Sequence, residues 1–276
     1  MVALQSIVTP QAPIRCAPHP TASLDTEALY GETVTIDRFE NGFAHVERGS
    51  DGYKGWLPSS CLGGMPDVTH QVIVPLSFVT AGADVKSHGI SHLSLGARVH
   101  VCPIPNDNGT SPFAQIDFAG TPGFVPRVHI SSLAEVCDDW VAVAESLIGS
   151  PYRWGGRAST GLDCSALVQL SLAVAGKAVP RDSGPQHDIG QALHETDVLQ
   201  RGDLVFWAGH VGIMQDGDRL LHANAHHMAV ASEPLAAAIS RIAATAGPVT
   251  ARRRPEIDQL WPGLIWNMPS DKPKQY

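Results

Sequence analysis

No apolar run in this chain is long enough to cross a bilayer as a helix, so helical membrane classes are excluded. The segment Met1 to Pro20 lacks a basic start followed by a continuous apolar stretch, and it does not read as an export signal. Cysteine is sparse. The five residues Cys16, Cys61, Cys102, Cys137 and Cys164 are scattered and form no Cys-x-x-Cys pair, which argues against a disulfide framework. A reduced compartment, the cytoplasm, is the expectation. Cations are in deficit too: 19 Lys and Arg against 27 Asp and Glu give a net charge of −8. That balance argues against a nucleic-acid partner and against docking on an anionic membrane. What remains is a chain of 276 residues with 43% apolar content, enough for a buried core and for about two domains or a set of smaller modules.

The front of the chain reads as β. Residues 1–13 look like an arm, because Pro10 and Pro13 oppose regular structure. From 14 to 66, short alternating runs such as Thr33-Val34-Thr35-Ile36 and Phe43-Ala44-His45-Val46 are split by turn signals at Asn41-Gly42 and Asp51-Gly52. Residues 67–134 are β-like again and repeat the first segment. Tyr30-Gly31-Glu32-Thr33-Val34 matches Leu95-Gly96-Ala97-Arg98-Val99, and Gly55-Trp56-Leu57-Pro58 matches Gly123-Phe124-Val125-Pro126. Two related small barrels explain the repeat. The closing Gly-aromatic-aliphatic-Pro turn resembles that of bacterial SH3-like domains.

Helical text starts near Ser132, with Trp140, Val141, Val143, Ala144, Leu147 and Ile148 at helical spacing before Gly149 and Pro151. A second helix begins at Cys164 and runs through Ala166, Leu167, Val168, Leu170, Leu172, Ala173 and Val174 to a stop at Gly176. Strands are expected at Leu204 to Trp207, His210 to Gln215, Arg219 to His222 and Met228 to Ser232, with a short helix over Pro234 to Ile242. A helix followed by antiparallel strands makes residues 135–268 α+β. Arg252 to Arg254 reads as a solvated strand, and residues 269–276 as a disordered tail.

Cys164 stands at the first turn of its helix, with Asp163 in the N-cap position. The positive end of the peptide dipoles favours a thiolate there, and a neighbouring imidazolium lowers the thiol further. A nucleophile of this kind needs a base and a group to orient the base. His210 opens one apolar strand and His222 closes the next, with the hairpin signature Asp216-Gly217 between them. Adjacent strands place both rings on one face, where His222 accepts a hydrogen bond from His210 and fixes its tautomer. His226 and His227 add to a histidine string with His222, but no carboxylate or cysteine has a matching spacing, so no metal and no cofactor are expected. Tyr152 can join the Cys164 backbone N–H as an oxyanion donor, and Trp154 walls the cleft.

Five blocks, in order, carry a family resemblance: Gly149-Ser150-Pro151-Tyr152-Arg153-Trp154-Gly155-Gly156, Gly161-Leu162-Asp163-Cys164-Ser165, Gly202-Asp203-Leu204-Val205-Phe206-Trp207, His210-Val211-Gly212-Ile213 and Leu221-His222-Ala223. They resemble the NlpC/P60 cysteine peptidases, which implies a papain-like domain with Cys164, His210 and His222 as its catalytic set. With SH3-like domains in front, the chain looks like a γ-D-glutamyl-L-diamino acid endopeptidase of murein peptide recycling. The resemblance implies short peptides, L-Ala-γ-D-Glu-diamino acid, as partners. It implies Asp163 as the carboxylate for the free amine, against the plain alternative of a helix cap. Ser165 and Ser183 are implied to bind substrate polar groups. Tyr53 is implied to cap the amine pocket, against ordinary barrel packing. A second acid is expected from the first SH3-like domain, where Asp25 and Glu27 are near but neither fits cleanly. The competing readings are a secreted wall hydrolase, an inactive wall-peptide binding protein and a thiol acyltransferase.

Overall fold

The computed structural model describes residues 3–256 except 65, 104–108 and 136. The front of the chain folds as two antiparallel sheets of seven strands each. In the first, the order is Leu24–Leu29, Gln11–Arg15, Lys54–Pro58, Phe43–Arg48, Thr33–Glu40, Ala3–Ile7, Leu62–Gly63. The second, over 70–132, has the same order strand for strand. Each copy ends in the same way: the Gly-aromatic-aliphatic-Pro strand runs into one 3-10 turn, Ser59–Cys61 in the first and Arg127–His129 in the second. The repeat seen in the sequence is therefore a repeat of topology. The strands follow a linear order with two ends rather than closing into the expected barrels.

The expected arm is corrected. Ala3–Ile7 pairs with Thr33–Glu40, and Gln11–Arg15 pairs with Leu24–Leu29. Ala12 and Ile14 are fully buried, so the alternation around Pro13 builds a strand despite the proline.

Matching positions of the two repeats do matching work. Tyr30 of the first copy is buried in the core of the second, stacked on Phe118 with its hydroxyl donating to the Asp117 carbonyl at 3.0 Å. Leu95, its counterpart in the second copy, is buried in the core of the third unit. Each module thus plugs the next.

The third unit packs helices against a six-stranded antiparallel sheet of order Gln191–Ala192, Ala251–Arg254, Leu204–Trp207, His210–Met214, Arg219–Asn224, Ala229–Pro234. Helix α1 (Trp140–Glu145) lies against helix α2 (Cys164–Val174), whose residues are nearly all buried. Helix α3 (Ser183–Gln186) is a single turn, and α4 (Leu235–Ala246) covers the far side of the sheet. The stretch Ala251–Arg254 is a paired strand beside Leu204–Trp207, half-buried rather than solvated, and Arg254 grips the buried Asp203 at 2.8 Å. The expected tail at 269–276 lies outside the described residues.

Candidate active site

Helix α2 delivers the cysteine. Asp163 is extended and its carboxylate accepts from the Ala166 N–H at 2.9 Å, which starts the helix with Cys164 in its first position. Cys164 is 5% exposed. The backbone N–H groups of Val211 and Ser165 lie near enough to its sulfur to favour the thiolate. The first matters most, because Val211 follows His210 and brings that strand against the thiol.

Burial dominates the electrostatics. It pushes the Cys164 thiol up to about 11, helped by the Asp163 carboxylate and opposed by the two N–H groups and the Arg181 charge. Burial also lowers His210 to about 3 and His222 to about 4. The thiolate expected from the helix dipole is corrected: the resting pair is a thiol and a neutral imidazole, because desolvation outweighs the dipole.

Strand register assembles the histidines. Ile213 faces Leu221 and Met214 faces Leu220, so His222 sits diagonally across from His210 on one face. His210 Nε2 and His222 Nδ1 are 2.8 Å apart. On the next strand His222 faces Ala231, which puts Glu233 one diagonal further on, with its Oε1 2.7 Å from His222 Nε2. Arg241 of α4 in turn donates to that same oxygen. Trp207 lies beside the His210 ring, centroids 5.8 Å apart. With Nε2 of His210 engaged by His222, Nδ1 is its ring nitrogen without a hydrogen-bond partner among the described residues. Such a set can take the thiol proton and release a thiolate toward a carbonyl.

A carboxylate does reach the histidine string, contrary to expectation. Ligand atoms of His222, His227 and Glu233 lie within 4.8 Å of one another. The Arg241 guanidinium occupies the Glu233 oxygen, however, and His227 is tied to Asn224 Oδ1 at 3.0 Å. The set as it stands suits hydrogen bonding better than a cation.

The sequence-predicted substrate residues divide. Asp163 is committed. Besides Ala166, it accepts from Gly155 N–H at 3.0 Å, from the Ser165 hydroxyl at 3.2 Å and, through both oxygens, from Arg181 at 2.7 and 2.8 Å. The cap is filled, and the same carboxylate is not offered to an amine. Ser165 is buried, and its hydroxyl also accepts from Arg181. Tyr152 is half-buried next to Cys164 and Asp163, and burial pushes its hydroxyl up to about 12. Trp154 is 71% exposed on the rim. Ser183 opens α3.

Tyr53 packs on the first sheet's core and also lines a cavity of about 410 Å³ with Asp25, Asp51, Arg181 and Asp182. Burial, then the Asp182 and Asp25 charges, raise its hydroxyl to about 12. Asp25 and Asp182 form no ion pair and accept no hydrogen bond through their side chains among the described residues, and burial raises both. Glu27 is spent on Arg153 and on the backbone N–H of Arg157, each at 2.9 Å. Sequence reasoning missed Asp182, Arg181, Glu233 and Arg241. Asp182 was within reach, since it lies in the polar loop just before Ser183.

Comparison with known proteins agrees with this geometry. Residues 149–242 match the NlpC/P60 family model and residues 14–62 match the model of the bacterial dipeptidyl-peptidase SH3 domain. A γ-D-glutamyl-L-lysine dipeptidyl-peptidase of Bacillus subtilis is 25% identical over 222 residues, 72% of this chain and 72% of that protein. Its namesake in Bacillus cereus is 27% identical over 208 residues, 68% of this chain and 61% of that protein. The fold is that of an NlpC/P60 family protein from Bacillus cereus, TM-score 0.77 at 20% identity, over 91% of this chain and 99% of that one.

Proposed function

From an NlpC/P60 cysteine peptidase domain set behind a bacterial SH3 domain, we propose that the chain hydrolyses short murein peptides with a free N-terminal L-Ala, cutting between γ-D-Glu and the diamino acid that follows. The observation that carries this reading is the cavity where Asp25 and Asp182, with no ion pair among the described residues, lie beside the Tyr53 hydroxyl. Desolvation raises both carboxyls, and neither has an ion-pair or hydrogen-bond partner among the described residues; an ammonium group would give each one. Tyr53 and Asp25 come from the first SH3-like unit and Asp182 from the catalytic unit. Asp182 is joined through its neighbour Arg181 to Asp163, the residue before the nucleophile. An amine held there sets the register of a short peptide whose scissile bond reaches Cys164.

The chemistry follows from the neutral pair. The Cys164 proton passes to His210 Nδ1 as the sulfur attacks the γ-carbonyl carbon, and the carbonyl oxygen becomes an oxyanion facing the Tyr152 hydroxyl and the Cys164 N–H. The C–N bond breaks as His210 returns its proton to the leaving amine. Water, deprotonated by His210, then attacks the thioester, and the γ-carboxylate leaves as the thiol re-forms. In this reading Ser165 and Ser183 line the polar wall and Trp154 walls the cleft. A preference for free peptides fits a role in peptide recycling, and the cytoplasm is the compartment we propose for it.

The test sets free L-Ala-γ-D-Glu-diamino acid against its N-acetylated form and against intact sacculi. Cleavage of the first alone is expected. Equal cleavage of sacculi would favour a secreted wall hydrolase, and cleavage by a Cys164→Ala protein would sink the mechanism.

A further inference from the structure

We propose that Glu233 is a positioning residue of the peptidase: through His222 it sets the tautomer of His210 that turns an unprotonated Nδ1 toward the Cys164 thiol. The inference rests on the cysteine-peptidase reading above.

Donors and acceptors decide the tautomer. An ionised carboxylate only accepts hydrogen bonds. Glu233 is kept ionised by Arg241, which donates to its Oε1. The proton in the 2.7 Å contact between that oxygen and His222 Nε2 therefore belongs to the ring. A neutral imidazole carries one N–H, so His222 Nδ1 is a bare acceptor. The proton in the 2.8 Å contact between the rings must then sit on His210 Nε2. His210, also neutral, is left with a lone pair on Nδ1, the one arrangement that can take a proton from sulfur. When it does, the new imidazolium keeps its Nε2–H on His222, now as a charge-assisted bond. No atom has to move between resting and protonated states.

Without the carboxylate the pair has a second arrangement. His222 can carry its proton on Nδ1 and donate to His210 Nε2, which leaves His210 with N–H toward the thiol and no base there. Among the described residues His222 has no other acceptor fixing its tautomer: its Nε2 faces Glu233, and neighbouring His227 is bound to Asn224. Its ring is fully buried, so water does not substitute for the missing oxygen.

Three variants read this. Glu233→Met removes the acceptor at similar length; kcat is expected to fall by about 100-fold or more while KM stays within roughly threefold, as for a misplaced tautomer in other hydrolases. Glu233→Gln keeps an oxygen that Arg241 holds in place as acceptor for His222, so its loss is about tenfold. His227→Ala, outside the relay, leaves the rate unchanged. Nitrogen-15 spectra of labelled histidine supply a readout without substrate: His210 is expected protonated at Nε2 in the unmodified protein and as a mixture in Glu233→Met. Alkylation of Cys164 by iodoacetamide at neutral pH should slow in step with kcat.

The idea is overturned if His210 carries its proton on Nδ1 in the unmodified protein, or if folded Glu233→Met keeps kcat within about threefold. Should Glu233→Met fail to fold, the isosteric Gln variant and the unmodified spectrum decide. If no murein peptide is cut at all, alkylation and tautomer still judge the relay separately from the substrate assignment.

Discussion

Replacing Arg157 by Met should unseat the catalytic unit from the first SH3-like unit at a cost of about 3 kcal/mol. Arg157 lies on the short strand Arg157–Ala158, which pairs with the strand leading into α2. Its guanidinium is 2.8 Å from Glu32 of the first SH3-like unit and donates to Gln169 of α2 at 2.6 Å, with both ionic side chains under 5% exposed. Burial lowers Arg157 to about 10, still charged at neutral pH, so it is a true ion pair. Removing one partner of such a pair strands the other, typically at about 3–5 kcal/mol. Glu32 would keep the Leu29 N–H at 2.8 Å and the charges of Arg48 and Arg98, which moves the figure to the lower end. Urea unfolding followed by tryptophan fluorescence measures it. The double variant Arg157→Met/Glu32→Met leaves no stranded charge and should return to within about 1 kcal/mol of the parent. A single variant costing less than about 1 kcal/mol, or a double variant worse than the single, would show that the network does not hold the units together.

Gly155→Ala should destabilise by about 2 kcal/mol, since a Cβ there would meet the Leu24 carbonyl at 2.6 Å in a backbone with φ +73°; an unchanged urea midpoint would refute this. Acid should weaken the fold early. His210 and His222 titrate near 6.5 in the unfolded chain but at about 3 and about 4 when folded, so between pH 6.5 and 4 the unfolded state binds more protons and stability falls with pH, by at most about 1.4 kcal/mol per unit for each ring. A urea midpoint at pH 5 equal to that at pH 7 would contradict the buried neutral pair. Asp182→Asn combined with Asp25→Asn should raise KM for the free tripeptide by about tenfold with kcat little changed; a KM within about twofold of the parent's would remove the amine pocket.

Much of the architecture could be read from residues alone. The repeat, the helix at Cys164 and the hairpin of the two histidines are local patterns, each visible in spacing or turn chemistry, and each stands where expected. Two kinds of feature could not be read. The first is strand pairing over distance: Pro10 and Pro13 obscured strands whose partners lie beyond residue 23, and Glu233 joins His222 only through the register of the last hairpin. The second is the desolvation of charge. Asp163 looked free for a ligand because its partner Arg181 follows eighteen residues later, and the Cys164 dipole argument ignored how deep α2 lies.

That pairing of Asp163 with Arg181 has a consequence for the nucleophile. A helix cap must be a hydrogen-bond acceptor, and here the acceptor is an anion directly next to the sulfur. Its charge opposes ionisation of Cys164, on top of burial. Arg181, 2% exposed and bidentate on the carboxylate, places a compensating cation on it and lowers the thiol again. The guanidinium is itself anchored on Thr26 of the first SH3-like unit at 2.7 Å and on the Gly156 carbonyl at 3.2 Å. The front module therefore does more than contribute to the amine pocket. It holds the cation that lets a carboxylate start the helix without silencing the thiol behind it, which ties the reactivity of Cys164 to the seating of a domain that contributes no atom to the bond being broken.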